Sequence, residues 1–251
     1  MPKVVFSKMP LNDSIDLVKD CFYASDELTS VHSGTIQLFP ELKTLDSLVR
    51  SVENDKIIED VVNKRYNKYQ LFDYDIERYS NAWDKYNDTF FEALIKYLNC
   101  SWPEEHEIIP AYVGIIPISP RYLDSLSFAV PVGIKDEWII ETCAHELCHF
   151  LWFKKWKELF PDTKDEDLCE PSLILEYSEM VVEPILNSKE ISKVFDNKKA
   201  KYCYDSFYIN DAPFMNDLMD IYNSNITVEE KIIRGYEHLQ DIRNKTKKVP
   251  M

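Results

Sequence analysis

The segment 143–152, CAHELCHFLW, contains three side chains whose types and spacing could bind a metal and move a proton. His145 and His149 are four residues apart, and Glu146 directly follows the first histidine. On an α-helix, positions four apart lie about 40° apart around the axis and one turn apart along it, so the two imidazoles would point to a common place. Such a pair of nitrogens is typical of a Zn²⁺ site. Glu146 would lie about 100° around the helix from His145, within reach of a water at the metal.

The neighbours of these three residues predict that the helix is buried. A helix that is apolar on nearly all sides is buried, and burying two imidazoles and a carboxylate without partners costs several kcal/mol. Zn²⁺ would satisfy all three groups at once. The alternative is a hydrogen-bonded polar cluster in the core, because His-Glu-x-x-His also occurs by chance in about one chain in a hundred of this length. The apolar neighbours are Trp138, Ile139, Ile140, Leu147, Phe150, Leu151, Trp152 and Phe153.

A catalytic zinc usually has three protein ligands and an open fourth position, so a third ligand is needed. The pattern HExxHxxGxxH would make it a histidine, but Trp152 and Lys155 occupy the required glycine and histidine positions. The remaining histidines, His32, His106 and His238, belong to no motif.

The next predicted helix offers an acidic candidate. In LILEYSEMVVEP (173–184), Glu176, Glu179 and Glu183 fall within about 60° of arc, and the other faces are largely apolar. A buried helix with one acidic stripe should direct it at a cation or at polar partners. The alternative is an acidic edge that faces solvent, which would be ordinary in a chain this acidic.

With this stripe, residues 128–186 resemble the gluzincins, the thermolysin-like zinc peptidases, in which HExxH on one helix is joined by a glutamate from a following helix. The resemblance implies that His145, His149 and Glu179 bind Zn²⁺. It also implies that Glu146 is the general base of peptide-bond hydrolysis.

The same resemblance suggests how the acidic stripe is used. In the family, an aspartate four residues after the ligand glutamate commonly orients a ligand histidine. Glu183 stands at that spacing from Glu179, although it is a glutamate, and we expect it to have this role. Glu176 is followed four residues later by Met180, so it stays as the alternative third ligand.

Two further expectations come from the resemblance. In this family, an edge strand ahead of the motif helix pairs with extended substrate, and the segment 124–133 is placed for that role. It could equally be an ordinary strand of the sheet. An oxyanion stabiliser usually comes from the later part of the chain, where Tyr202, Tyr204, Tyr208 and His238 are candidates.

The chain as a whole predicts an α+β fold, predominantly α-helical with a small mixed β-sheet before the motif helix. We expect a helical N-terminal region over 1–100 and a metallopeptidase-like core over 101–251, together forming one compact unit. Pro184 should end or kink the second site helix. Helical periodicity covers 14–24, 41–69, 76–100, 136–160 and 172–186, and proline-containing apolar runs predict short or edge strands within 107–118 and 126–134.

Composition narrows the class of protein. A net charge of −15 argues against binding to nucleic acid or to an anionic membrane, which both need a basic surface. The six cysteines form no CxxC pair and indicate free thiols, and Cys148 inside the motif is expected to be a small buried residue. With no secretory signal and no long apolar run, we expect a cytoplasmic protein.

These observations predict a zinc metallopeptidase that acts on a peptide or protein substrate. Two alternatives remain. One is a non-catalytic or regulatory zinc protein whose site holds two helices together or which acts through a partner protein. The other is a metal-dependent regulator that cleaves one dedicated protein.

Overall fold

A computed structural model describes residues 1–25, 31–169, 172–200 and 213–246. Over these residues the chain is predominantly helical with one four-stranded mixed sheet, so the predicted α+β class is confirmed. The strands are β1 (Lys3–Lys8), β2 (Ile108–Gly114), β3 (Arg121–Tyr122) and β4 (Ser127–Pro131), and the helices are α1 (Leu11–Tyr23), α2 (Val31–Leu38), α3 (Val52–Lys68), α4 (Phe72–Trp83), α5 (Asn87–Leu98), α6 (Asp136–Leu159), α7 (Leu173–Leu186), α8 (Lys189–Ser192), α9 (Pro213–Asn223) and α10 (Val228–Thr246). None of the described helices is long and apolar enough to cross a membrane.

The sheet has the strand order β1-β2-β4-β3. β1, β2 and β4 are parallel, and β3 is antiparallel to β4. β1 lies in the region 1–100, for which sequence periodicity indicates only helices. It buries Val4 and Phe6 while Val5 is exposed, which is the alternation of a strand with one face on a core.

Both strands predicted ahead of the motif helix are present as short strands, and for the start of β4 the structure agrees with the alternative of an ordinary sheet strand. β4 is not an edge strand at its start, because Ser127 and Phe128 pair with β3 as well as lying next to β2 in the sheet order. β2 is also internal, although it contains Pro110. The proline pairs with Val5 of β1, and the pairing with β4 begins only at Ala111, so no β4 partner is opposite the missing N–H.

Two predicted long helices are interrupted. The stretch 41–69 forms a 3₁₀ turn at Pro40–Leu42 and then α3, which starts where the Ser51 hydroxyl accepts a hydrogen bond from the Asn54 amide. The stretch 76–100 is divided between α4 and α5 at residues 84–86.

The break between α4 and α5 has a specific cause in the Asn87 side chain. It is fully buried, and its amide oxygen lies 3.1 Å from Trp83 Nε1 and 3.4 Å from the Val4 backbone nitrogen. Its amide nitrogen donates to the Pro2 carbonyl at 2.9 Å. Satisfying a buried amide in this way stabilises the turn against a continuous helix.

The contacts divide the chain into two compact units. One contains Met1, residues 88–105 and the chain from 144 onward; the other contains residues 2–87 and 106–143. The predicted division at residue 100 lies inside the segment 88–105. The core of the second unit includes Phe22, Phe39, Leu42, Ile58 and Val62.

Candidate metal centre

The helix that carries the motif is α6, which runs from Asp136 to Leu159 as expected from 136–160. It contains no glycine or proline. Its first turn has Asp136 and Glu137, whose negative charges interact favourably with the positive end of the helix dipole. It ends ahead of Pro161, which cannot continue the helical hydrogen bonding. The prediction that this helix is buried is confirmed from the motif onward, since Leu147, Phe150, Leu151, Trp152 and Phe153 are at most 4% exposed. It is wrong for Trp138 near the start of the helix, which is 62% exposed.

The second site helix is α7. Ser172 caps its start by accepting hydrogen bonds from the amides of Ile174 and Leu175, both at 3.1 Å. Pro184 neither ends nor interrupts it, and the helix continues to Leu186. The expectation that Pro184 ends the helix is therefore wrong, while a kink at this residue stays a prediction. The proline lacks only its own N–H, the donor to the Met180 carbonyl, and the helix continues past that single lost hydrogen bond.

The structure brings together the nitrogen of each motif histidine and one carboxylate oxygen. His145 Nε2 and His149 Nε2 lie 2.9 Å apart. Glu179 Oε2 lies 3.3 Å from His145 Nε2 and 3.4 Å from His149 Nε2. Among the described residues, these three form the group of histidine, cysteine and acidic side chains whose geometry could hold a metal ion.

The separations between these atoms fit a tetrahedral ion. Zn²⁺ with bonds of roughly 2.0–2.2 Å to nitrogen and oxygen holds its ligand atoms roughly 3.3–3.5 Å from one another. The observed sides of the triangle, 2.9, 3.3 and 3.4 Å, lie within a few tenths of an ångström of that value. Two imidazoles and one carboxylate are also a donor set that zinc commonly takes.

The rival reading is a cluster held together by protons. Each neutral imidazole has one N–H, which can be on Nε2 or on Nδ1. If both Nε2 atoms are protonated, both can donate to Glu179, but the two N–H groups then oppose each other across 2.9 Å; if only one is protonated, the lone pair of the other faces the Glu179 carboxylate. A cation attracts all three atoms at once. The donor set therefore fits a metal better than it fits a purely hydrogen-bonded cluster.

Part of this cluster is accessible to solvent. The His149 side chain is fully buried, whereas the side chains of His145 and Glu179 are each 13% exposed. Within the described ranges no fourth histidine, cysteine or acidic side chain joins the group. Three donors with an accessible side are typical of catalytic zinc sites, while structural sites are usually closed by four.

Glu146, which directly follows His145 in the chain, is buried at 4% exposure. Burial raises the pKa of the Cys148 thiol, and the nearby carboxylates of Glu146 and Glu179 raise it further. Cys148 is therefore a protonated, fully buried thiol in these surroundings, as expected for a small core residue. The charges of Glu146 and Glu179 both act on this thiol.

Comparison with known proteins finds no family model, no curated protein and no solved structure that matches this chain. The likeness to gluzincins therefore rests on the motif and on the side chains around it.

The two other glutamates of the acidic stripe differ from Glu179 in their surroundings. The Glu176 carboxylate accepts a hydrogen bond from the guanidinium of Arg243, in the last turn of α10. Burial raises the pKa of Glu176, and Arg243 acts in the opposite direction. Glu183 lies one turn beyond Glu179 and is half-buried. Its role in orienting a histidine stays a prediction.

One of the four candidates for an oxyanion stabiliser, His238, lies in the described residues, and it contacts Asp217 and Phe214. His238 Nε2 lies 2.9 Å from Asp217 Oδ2, and its ring stacks on Phe214. Tyr202, Tyr204 and Tyr208 lie outside the described residues.

Sequence reasoning missed Arg243, which stands 67 residues from Glu176. A basic residue near the end of a long helix is common because it interacts favourably with the helix dipole. That signal does not indicate which carboxylate such a residue contacts.

The cysteine prediction is confirmed for the five cysteines in the described residues. Cys21, Cys100, Cys143, Cys148 and Cys169 are all free.

Proposed function

We propose that this protein is a zinc-dependent metallopeptidase. The observation that supports the proposal most is the triangle of His145 Nε2, His149 Nε2 and Glu179 Oε2, with sides of 2.9, 3.3 and 3.4 Å and partly exposed to solvent. The buried Glu146 directly follows His145 in the chain. Residues that hold an ion and a carboxylate beside them are the two parts that metal-assisted hydrolysis requires.

In the proposed reaction, His145, His149 and Glu179 hold the ion. When bound, Zn²⁺ supplies a Lewis acid that polarises a carbonyl and makes water acidic near neutral pH. Glu146 takes a proton from the water that attacks the peptide carbonyl carbon. It then gives that proton to the amide nitrogen, so the C–N bond breaks with an amine as the leaving group. Its buried position keeps bulk water from competing for the proton.

Two coarser features support the choice of substrate and compartment. A chain with 44 acidic and 29 basic residues is poorly suited to nucleic acid, whereas a peptide needs no basic surface. The five free cysteines are consistent with a reducing compartment. We infer that the protein acts on peptides or proteins in the cytoplasm.

The experiment compares three purified, zinc-loaded proteins on peptides from digested cell lysate and on intact lysate proteins, with newly formed amino termini as the readout. They are the wild type, Glu146→Gln and the control Glu137→Gln. Glu146→Gln keeps the side-chain volume but cannot accept a proton at neutral pH, so cleavage should fall by at least about 10²-fold. Glu137 is exposed in the first turn of the same helix, and its variant should cleave like the wild type.

Metal content and melting temperature are measured alongside cleavage. Glu146→Gln should bind one zinc per chain and melt close to the wild type, because Glu146 is not a ligand in this scheme. Equal cleavage by wild type and Glu146→Gln would refute the mechanism. A zinc-loaded wild type that cleaves nothing would refute the enzymatic function and leave the non-catalytic or regulatory zinc protein as the better reading.

A further inference from the structure

Two carboxylates on α7 are matched in chemistry, position and burial. Glu176 and Glu179 are three residues apart, which places them about 60° apart around the helix axis. Their side chains are 14% and 13% exposed. Residue type and burial therefore do not distinguish which of the two should be the third donor beside His145 and His149. Their partners do.

Arg243 is the partner of Glu176. Its guanidinium donates to Glu176 Oε1, and its side chain is itself two-thirds buried, with 31% exposure. Arginine stays charged at all pH values that proteins experience, and it binds a carboxylate more specifically than a lysine does. Because both side chains are largely shielded from water, either would lose much of its stabilisation if the pair were separated.

The position of Arg243 is fixed by the packing of α10 against α7. The Tyr177 hydroxyl, next to Glu176 in the chain, donates to the Ile232 carbonyl at 3.1 Å. Gly235 allows this approach, since a methyl group there would collide with the same hydroxyl. Arg243 stands about two turns beyond Gly235 on the same helix. It therefore meets Glu176 from a helix already docked on α7.

We infer that Arg243 is a positioning residue that holds Glu176 away from the metal and so leaves Glu179 as the carboxylate donor. This inference rests on the metal centre of the proposed function. It assigns to Arg243 a role in choosing between two carboxylates. Without the arginine, Glu176 is an anion one turn away from the donor it would replace.

The test is a set of zinc-affinity measurements by competition with a chelator. Glu179→Ala should weaken zinc binding by more than tenfold. Adding Arg243→Met releases Glu176, and the double variant should regain at least about threefold in affinity. The matched control is the triple variant with Glu176→Ala as well, in which the gain should disappear. A purely structural role for Arg243 predicts the opposite, since loosening α10 from α7 could only weaken binding further.

Cobalt(II) in place of zinc gives a second readout. Its visible absorption depends on the ligand set, so the spectrum of the double variant should differ from that of Glu179→Ala and should return to it in the triple variant. If Arg243→Met does not fold in the Glu179→Ala background, Arg243→Gln removes the charge while keeping hydrogen-bonding atoms.

The outcomes separate this inference from the proposed function. If the wild type binds no zinc, the metal centre and this inference both fail. If the wild type binds zinc but the folded double variant binds no more tightly than Glu179→Ala, only the role of Arg243 is overturned. If Glu179→Ala binds zinc as tightly as the wild type, Glu179 is not the donor that Arg243 was inferred to select, and the inference is also overturned.

Discussion

Lys155 Nζ lies 2.5 Å from a carboxylate oxygen of Glu229, and this ion pair joins the motif helix α6 to the start of α10. Lys155 is 6% exposed, and its ammonium also donates to the Asn99 carbonyl at 3.1 Å. The Asn99 side chain donates to Glu229 at 3.2 Å. Lys155, which occupies the position of the third histidine in the pattern HExxHxxGxxH, is therefore part of an internal polar network.

This pair predicts a specific dependence of stability on pH. Burial raises the pKa of Glu229, but the hydrogen bonds from Lys155, from its own backbone amide and from Asn99 outweigh burial and lower the pKa from 4.5 to about 2. Because folding lowers the pKa of Glu229, this carboxylate stabilises the fold at pH values above its pKa in the unfolded chain. That stabilisation is lost as the pH falls from about 4.5 towards 2. Lys155→Met should destabilise the protein at pH 7, and the difference from wild type should shrink across that interval.

Urea unfolding at a series of pH values measures this difference. The control is Lys157→Met, which removes a salt bridge to Asp165 with side chains 46% and 91% exposed. Exposed pairs contribute little, so this variant should be close to the wild type at neutral pH. A Lys155→Met effect that stays constant from pH 7 to pH 2.5 would show that the ion pair is not its source.

The elements that were predictable from sequence are those whose signal is local. α6 was predicted to within one residue because it is long, lacks glycine and proline, and is followed by Pro161. The meeting of His145 and His149 follows from the same helix, since the four-residue spacing fixes their directions. Glu179 could be ranked above Glu176 by resemblance alone.

What could not be predicted depends on residues far apart in the chain. β1 is a strand because Lys3 to Lys8 pair with Ile108 to Val113, about a hundred residues away. The break before α5 depends on Asn87 reaching Pro2. The hydrogen-bond partner of the Glu176 carboxylate is Arg243, 67 residues away. Helix propensity contains no information about such partners, and tertiary contacts override it.

The second prediction ranks the three glutamates of α7 by their effect on zinc binding. Glu179→Ala removes a donor atom and should weaken zinc binding most. Glu183→Ala should act indirectly, by misorienting a histidine, and cost roughly 10–100-fold in affinity. Glu176→Ala should change affinity least, because its carboxylate is bound by Arg243. Isothermal titration with zinc measures all three, and a larger loss from Glu176→Ala than from Glu179→Ala would reverse the assignment.

The third prediction concerns Gly235, which lies in the middle of α10. A methyl group there would collide with the Tyr177 hydroxyl and come within 2.9 Å of the Leu218 side chain. Gly235→Ala should therefore destabilise the protein by about 1–3 kcal/mol despite the better helix propensity of alanine. Adding Tyr177→Phe removes the colliding oxygen and should restore part of that loss.

Gly34 is the matched control for this substitution. It lies in helix α2, and no atom stands within 4 Å of an added methyl group. Gly34→Ala should leave stability unchanged or raise it by up to about 1 kcal/mol, because alanine loses less conformational entropy on folding. Equal effects at the two glycines, measured by urea unfolding, would contradict the close contact between α7 and α10.

The last prediction couples zinc binding to the stability of the fold. His149 on α6 is fully buried and contacts Glu179 on α7, so an ion bound by both residues would link the two helices. Such an ion stabilises the folded chain, because the unfolded chain has no equivalent site. Zinc at 100 times its Kd should raise the free energy of unfolding of the wild type by about 2.7 kcal/mol.

His149→Ala should lose that gain, whereas His238→Ala should keep it, since His238 contacts Asp217 outside the cluster. Mg²⁺, which prefers six oxygen ligands, should not replace zinc. The measurement is urea unfolding of the three chelator-treated proteins with and without each ion, and equal stabilisation of wild type and His149→Ala by zinc would rule out this cluster as the binding site.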